Sequence, residues 1–171
     1  MIRGFGIMLI FNPRQAVLLT CRGRHKTVGK EMERDDVVPC FWHSPVSSHP
    51  PMYAVFVDKN LMAVSIIRDS GCFVVNFVSF SMVNVIKKAM GVSGEFLEKC
   101  DALGVGEASC DKLVDCFRLK EALGWLECEV VEEKEFGDRV LFVGRVLFSH
   151  LERDDKRAFH VDKDKFTTTV Y

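Results

Sequence analysis

No apolar run in this sequence reaches the roughly 18 residues that a membrane-crossing helix needs, so a membrane-spanning role is not expected. An excess of charge is also missing. Lys and Arg total 23 and Asp and Glu total 24, leaving a formal charge of −1. A chain without a broad field of one sign is a poor fit for nucleic acid or an anionic membrane surface. The basic stretch Arg22-Gly23-Arg24-His25-Lys26 is local and reads as a solvated hairpin loop. There is no CxxC pair, and the cysteines number seven, which argues against a zinc ribbon and against a disulfide framework. Cys72 in CFVV and Cys128 in WLECEV sit inside apolar runs, where thiols act as small buried hydrophobes. That usage fits a reducing compartment. Cys40 and His43 form a CxxH pair without two further ligands at suitable spacing. Paired carboxylates, a nucleophile elbow, a P-loop and a glycine-rich dinucleotide fingerprint are all lacking. Any chemistry is therefore expected from a bound group rather than a side-chain triad. Near the start, Ile7 to Phe11 is too short for a signal-peptide core and no small-residue cleavage site follows, so it is expected to be an edge segment of a cytoplasmic protein.

What is present is ordinary globular material: 171 residues, 48% hydrophobic and 27% charged. This fits one domain over 1–171 whose core needs neither disulfides nor metal. Strands are expected at Ala16 to Arg22, Val37 to His43 (made irregular by Pro39), Met52 to Asp58 and Cys72 to Val78, the last central and buried. A short helix is expected from Leu61 to Ser70. A second starts at Ser81 as its cap and carries Met82, Val85, Ile86, Ala89 and Met90 on one face. A third runs from Ser93 to Leu103. In Leu126 to Val130 the alternation puts Glu127 and Glu129 on the solvent side. A turn at Phe136-Gly137-Asp138 leads into a strand whose two faces, Val140/Phe142/Val146/Phe148 and Leu141/Val143/Leu147, are both apolar. A barrel interior would cover one, and a helix or second subunit the other. A polar loop at Asp154 to Arg157 precedes a last strand from Phe166. The pattern reads as mainly β, a Greek-key or up-and-down barrel with helical insertions.

One segment stands apart, Trp42 to Pro51, WHSPVSSHPP. Its prolines stiffen the backbone, its serines offer hydroxyls, and Phe41 and Trp42 supply flat apolar surface beside it. On the residues alone it is either a structural turn with serine caps or a loop aimed at an anionic or carbonyl-rich ligand.

Asn12-Pro13-Arg14 before AVLLTCR, VVPCFWHSPVSSHPP, IIRDSGCFVVN at Ile66 to Asn76, LECEV at Leu126 to Val130, and Gly137-Asp138 through Val143-Gly144-Arg145-Val146 occur in an order that resembles the flavin reductase-like family of FMN-binding split barrels. The resemblance covers nearly the whole chain. It implies a mainly β split barrel of Greek-key type with a few inserted α-helices, and a homodimer binding FMN near the subunit interface. Around Cys40, Phe41 and Trp42, and through His43, Ser44, Val46, Ser47 and Ser48, it implies contacts to the flavin. Asn76 and Phe77 would border the site, Lys99 falls at a family lysine, and His160 at a late strand position near the pocket. Asn76 and His160 equally suit satisfied polar residues at strand ends, and Lys99 suits a solvated helix face. Three departures stand out. Leu61 and Ala63 replace a basic and a hydroxyl residue that suit a phosphate, leaving Lys59 or Asn60 as substitutes. A usual Gly-Asp-His turn is Gly137-Asp138-Arg139, and Asp35-Asp36 introduces carboxylates. The activity implied is electron transfer from NADH or NADPH through FMN to free flavin, ferric iron or another acceptor. The alternative is an electron carrier reduced by a redox protein without its own nicotinamide site.

Overall fold

A computed structural model describes residues 10–27, 29–92 and 99–170. The expected edge segment at Ile7 to Phe11 and the helix start at Ser93 fall wholly or largely outside them. The strands are β1 (Arg14–Gln15), β2 (Val17–Thr27), β3 (Lys30–Cys40), β4 (His43–Ser48), β5 (Pro51–Asp58), β6 (Cys72–Phe77), β7 (Glu107–Ser109), β8 (Phe117–Leu119), β9 (Gly124–Phe136), β10 (Arg139–Leu151), β11 (Ala158–Asp162) and β12 (Lys165–Thr168). The helices are α1 (Met62–Ser70), α2 (Val83–Gly91, entered through a 3-10 turn at Phe80–Met82) and α3 (Lys99–Leu103).

Seven strands form one antiparallel sheet in the order β3-β2-β6-β9-β10-β5-β4, with β1-β11-β12 as a second, small sheet. The large sheet curls until the chain leaving β3 meets β5, where the Phe56 N–H donates to the Trp42 carbonyl at 2.9 Å. This is a split barrel with inserted helices. Period-2 alternation along β2 decides the layering. Val17, Leu19 and Cys21 enter the barrel core with Val55, Phe73, Val75 and Phe142, capped by Ala63, Ile66 and Ile67 of α1. Ala16 and Leu18 face the other way, into a core with Ile86, Leu103 and Phe117. Pro39 lies on β3, an edge strand, where its missing N–H removes no inner ladder bond.

Several expectations are corrected. Arg22 to Lys26 is the outer half of β2 and not a loop. There it pairs with Asp35 to Glu31 of β3, placing basic residues opposite acidic ones at Arg22/Asp35, Arg24/Glu33 and Lys26/Glu31. The serine-rich segment is mostly strand: β4 pairs with β5 through a short turn at His49-Pro50. Ser81 caps nothing, because α2 begins after Met82 without a side-chain cap and Ser81 Oγ bonds to Ser79 Oγ at 2.6 Å. Glu127 is not on the solvent side. It is fully buried because the loop at Asp111 to Leu113 folds over that face of β9, its N–H groups aimed at the carboxylate. On β10, Val140 and Phe142 are buried while Leu141 and Val143 are half-buried and Leu147 exposed, so the described residues cover one face fully and the other only in part.

Candidate functional site

The site is built where the chain kinks between β3 and β4. Arg14 Nε donates to the Phe41 carbonyl at 2.9 Å. The Trp42 carbonyl accepts from the Phe56 N–H at 2.9 Å and from the Cys40 thiol at 3.3 Å. These bonds fix both aromatic residues on the wall of a cavity of about 340 Å³. That volume lies at the small end of the roughly 300–1,000 Å³ usual for ligand sites. Phe56 and His160 complete the aromatic lining, and the His160 ring stacks on Phe41 at 4.2 Å and 8°. Leu61 and Met90 lie on the rim, 41% and 47% exposed, apolar surface that the chain itself leaves uncovered. A larger hollow of about 430 Å³ lies between Arg22 and Cys116. It has one ring, Phe117, and its Arg22 and Glu107 are already paired at 3.0 Å, so it lacks the chemistry of the first.

Charge is distributed unevenly around the cavity. Lys99 lines it but is closed off, because its Nζ meets Asp36 Oδ1 at 2.8 Å with both side chains buried. The same Asp36 oxygen accepts the Val37 N–H at 2.9 Å. Asp35 is held by Arg22 through two contacts of 2.6 Å. The twin carboxylates are thus both matched by cations. Arg139 also lines the cavity. Its guanidinium lies 5.2 Å over the Trp42 ring, a cation–π arrangement. Among the described residues its buried Nε has no hydrogen-bond partner, and the carboxylate of exposed Asp138 stands 3.6 Å away. Burial pushes the Cys40 thiol up to about 11, so it stays protonated and unreactive at neutral pH.

Five of the residues expected at a site therefore converge: Cys40, Phe41, Trp42, Lys99 and His160. The others lie elsewhere. Ser44, Val46, Ser47 and Ser48 belong to the edge strand β4, where the Ser44 hydroxyl donates to the Pro45 carbonyl at 3.0 Å. His43 turns away from the cavity, donating through Nε2 to the Gln15 carbonyl at 2.9 Å and meeting the Tyr53 hydroxyl through Nδ1 at 2.8 Å. Asn76 is buried and fully engaged with the Leu18 carbonyl, Thr20 Oγ1 and the Leu119 N–H. Phe77 packs edge-on against Tyr53 and His43. Lys59 Nζ donates to the Gly137 carbonyl at 2.9 Å, and Asn60 donates twice to Asp58 Oδ1, so neither lines the cavity. Ala63 is core, and only Leu61 of that pair reaches the rim. Arg139 and Met90 were not among the expected site residues. Met90 shared a helix stripe with core residues, whereas Arg139 was signalled only as a departure from a usual turn.

The flavin reductase like domain matches residues 11–169. The chain belongs to that family. Among curated relatives it is 32% identical over 116 residues to an uncharacterized protein of Archaeoglobus fulgidus, covering 68% of this chain and 65% of that one. It is 30% identical over 112 residues to one of Pyrococcus abyssi, covering 66% and 63%. The match thus spans just under two thirds of those relatives' length. Solved structures agree on the fold. Flavoredoxin from Methanosarcina acetivorans superposes with a TM-score of 0.78 at 25% identity over 93% of this chain and 86% of that chain. An FMN-binding protein from Thermus thermophilus gives 0.79 at 19% over 94% and 88%. Nitrilotriacetate monooxygenase component B from Bacillus cereus gives 0.81 at 16% over 100% and 93%. Among the described residues no helix is long and apolar enough to cross a membrane, and no cluster of side chains could hold a metal ion.

Proposed function

We propose that the chain is an FMN-binding redox protein, working as a homodimer, that passes electrons from NADH or NADPH to free flavin, ferric iron or another acceptor. The observation that carries this reading is the cavity at Phe41 and Trp42. It joins an aromatic wall, exposed apolar rim residues and a buried guanidinium nitrogen without a partner, in a chain of the flavin reductase-like family. These residues fit FMN: a planar ring system needs apolar flat surface, and a phosphate needs a cation. Phe41, Trp42, Leu61 and Met90 would hold the rings. When bound, FMN supplies the hydride and electron chemistry. The chain's own part is positional. Arg14, Phe56 and Cys40 fix the Phe41-Trp42 backbone, and the His160 ring buttresses Phe41. Rim residues exclude water. No side chain is assigned as a proton donor or acceptor.

The visible spectrum of the purified protein tests this, recorded without oxygen before and after NADH or NADPH. A flavin band that either nucleotide bleaches rapidly is the expected result. A band insensitive to both but bleached by a reduced redox protein makes the chain an electron carrier. A colourless protein that takes up no added FMN overturns the reading.

A further inference from the structure

Three groups able to hold an anion in or near this cavity are already engaged, and a fourth position offers none. Lys99 is neutralised by Asp36 at 2.8 Å. Lys59 is engaged with the Gly137 carbonyl. Leu61 and Ala63, at the start of α1, carry neither charge nor hydroxyl, and α1 has no side-chain cap at its start. The His160 Nε2–H is given to the Lys163 carbonyl at 3.0 Å. Arg139 remains. It leaves the Gly137-Asp138 turn as the first residue of β10, directly opposite Asp58. Two donations from Asn60, at 3.0 and 3.1 Å, engage the Asp58 carboxylate. The Arg139 Cζ lies over the Trp42 ring, 5.2 Å from its centroid, and among the described residues the buried Nε–H has no hydrogen-bond acceptor. Among the described residues its ion pair is to exposed Asp138 at 3.6 Å, too long for a hydrogen bond. A buried guanidinium donor is rarely left unmatched, and the planar fork suits a phosphate bidentately.

We propose that Arg139 is the phosphate anchor of this cavity, taking the place of the basic and hydroxyl residues that Leu61 and Ala63 displace. The proposal rests on the FMN reading above and names the residue that separates FMN from riboflavin, which differ by the phosphate alone. Trp42 is then a positioning residue for Arg139 as well as a wall for the ring.

The test is a pair of titrations, FMN and riboflavin, each followed by quenching of flavin fluorescence, on the wild-type chain, Arg139→Met and Arg139→Lys. The expected wild-type result is a clear preference for FMN. Arg139→Met should weaken FMN by about 10- to 100-fold while leaving riboflavin within about twofold, and Arg139→Lys should fall between. An unchanged preference in Arg139→Met overturns the proposal, because the phosphate is then held elsewhere. An equal loss of both flavins also overturns it, since Arg139 would then act only by packing on Trp42. Wild-type protein that binds neither flavin sinks the FMN reading itself, a result distinct from both. Circular dichroism melting of each variant shows whether the fold is kept.

Discussion

Glu127 shows what one buried carboxylate does for a loop. Its oxygens accept the N–H groups of Asp111, Lys112 and Leu113 at 2.7, 2.7 and 3.1 Å, and the Trp125 indole N–H at 3.2 Å. Three consecutive amides converge on one anion, so Gln, whose amide places hydrogens where an acceptor is required, is not a neutral substitute. Glu127→Gln should lower unfolding free energy by about 3 kcal/mol in urea titration with the slope unchanged. His43 makes a pH prediction. The Gln15 carbonyl can only accept, so Nε2 carries the hydrogen and Nδ1 accepts from Tyr53. Burial, opposed by the bond to Gln15, holds this imidazole below its ordinary value of 6.5. The unfolded chain therefore binds the proton more readily. The stability from neutral His43 is complete above about pH 6.5 and declines as pH falls toward the folded value. Wild type should lose stability over that interval more steeply than His43→Gln in parallel urea titrations at pH 7.5 and 5.5. Equal slopes would remove His43 from the acid response.

At the scale of elements, β10 bends at a register shift between Val143 and Gly144. A Cβ on Gly144 would stand 2.6 Å from the Cys128 Cβ and 2.9 Å from the Phe73 ring. Gly144→Ala should destabilise the fold by about 1–3 kcal/mol, measured by thermal unfolding, because neither neighbour can yield without disturbing the barrel core. The buried half of each strand was legible in the sequence, since burial writes itself as periodicity: CFVVNF announced β6, and alternation announced the inner part of β10. The outer halves of β2 and β9 were not. Among the described residues, 22–27 of β2 pair with 30–35 of β3 and no other strand, and 132–136 of β9 pair with β10 on one side only; a backbone ladder leaves no hydrophobic pattern. Glu127 misled for a related reason: alternation places it on one face of β9 but says nothing of a distant loop folding over that face. Of the site, Phe41 and Trp42 stood out as flat apolar surface beside a stiff loop, whereas Cys40, Lys99 and His160 were legible only through ordered motifs. Arg139 was not, because its role depends on what Lys99 and Lys59 are already doing.

For the whole molecule, the second face of β10 is the open question of covering. Leu147 is 39% and Val131 of β9 is 45% exposed, with Leu141 and Val143 half-covered. The homodimer proposed above predicts a solution mass near twice the 19.4 kDa chain by light scattering, and a shift toward one chain in Leu147→Lys. A single-chain mass at micromolar concentration would refute it. The cavity has a different consequence. Its lining is gathered from Asn12, Phe41, Leu61, Met90, Arg139 and His160, which lie along nearly the full length of the chain. Such a site exists only when distant stretches are docked together, so it cannot survive the loosening of any one of them. Occupancy then works as a clasp on the entire fold, and a ligand at a hundred times its dissociation constant adds about 2.7 kcal/mol against unfolding. For a chain of this size that is a rise in melting temperature of roughly 5–10 °C, which makes heat resistance itself a gauge of how much of the protein in a sample is loaded.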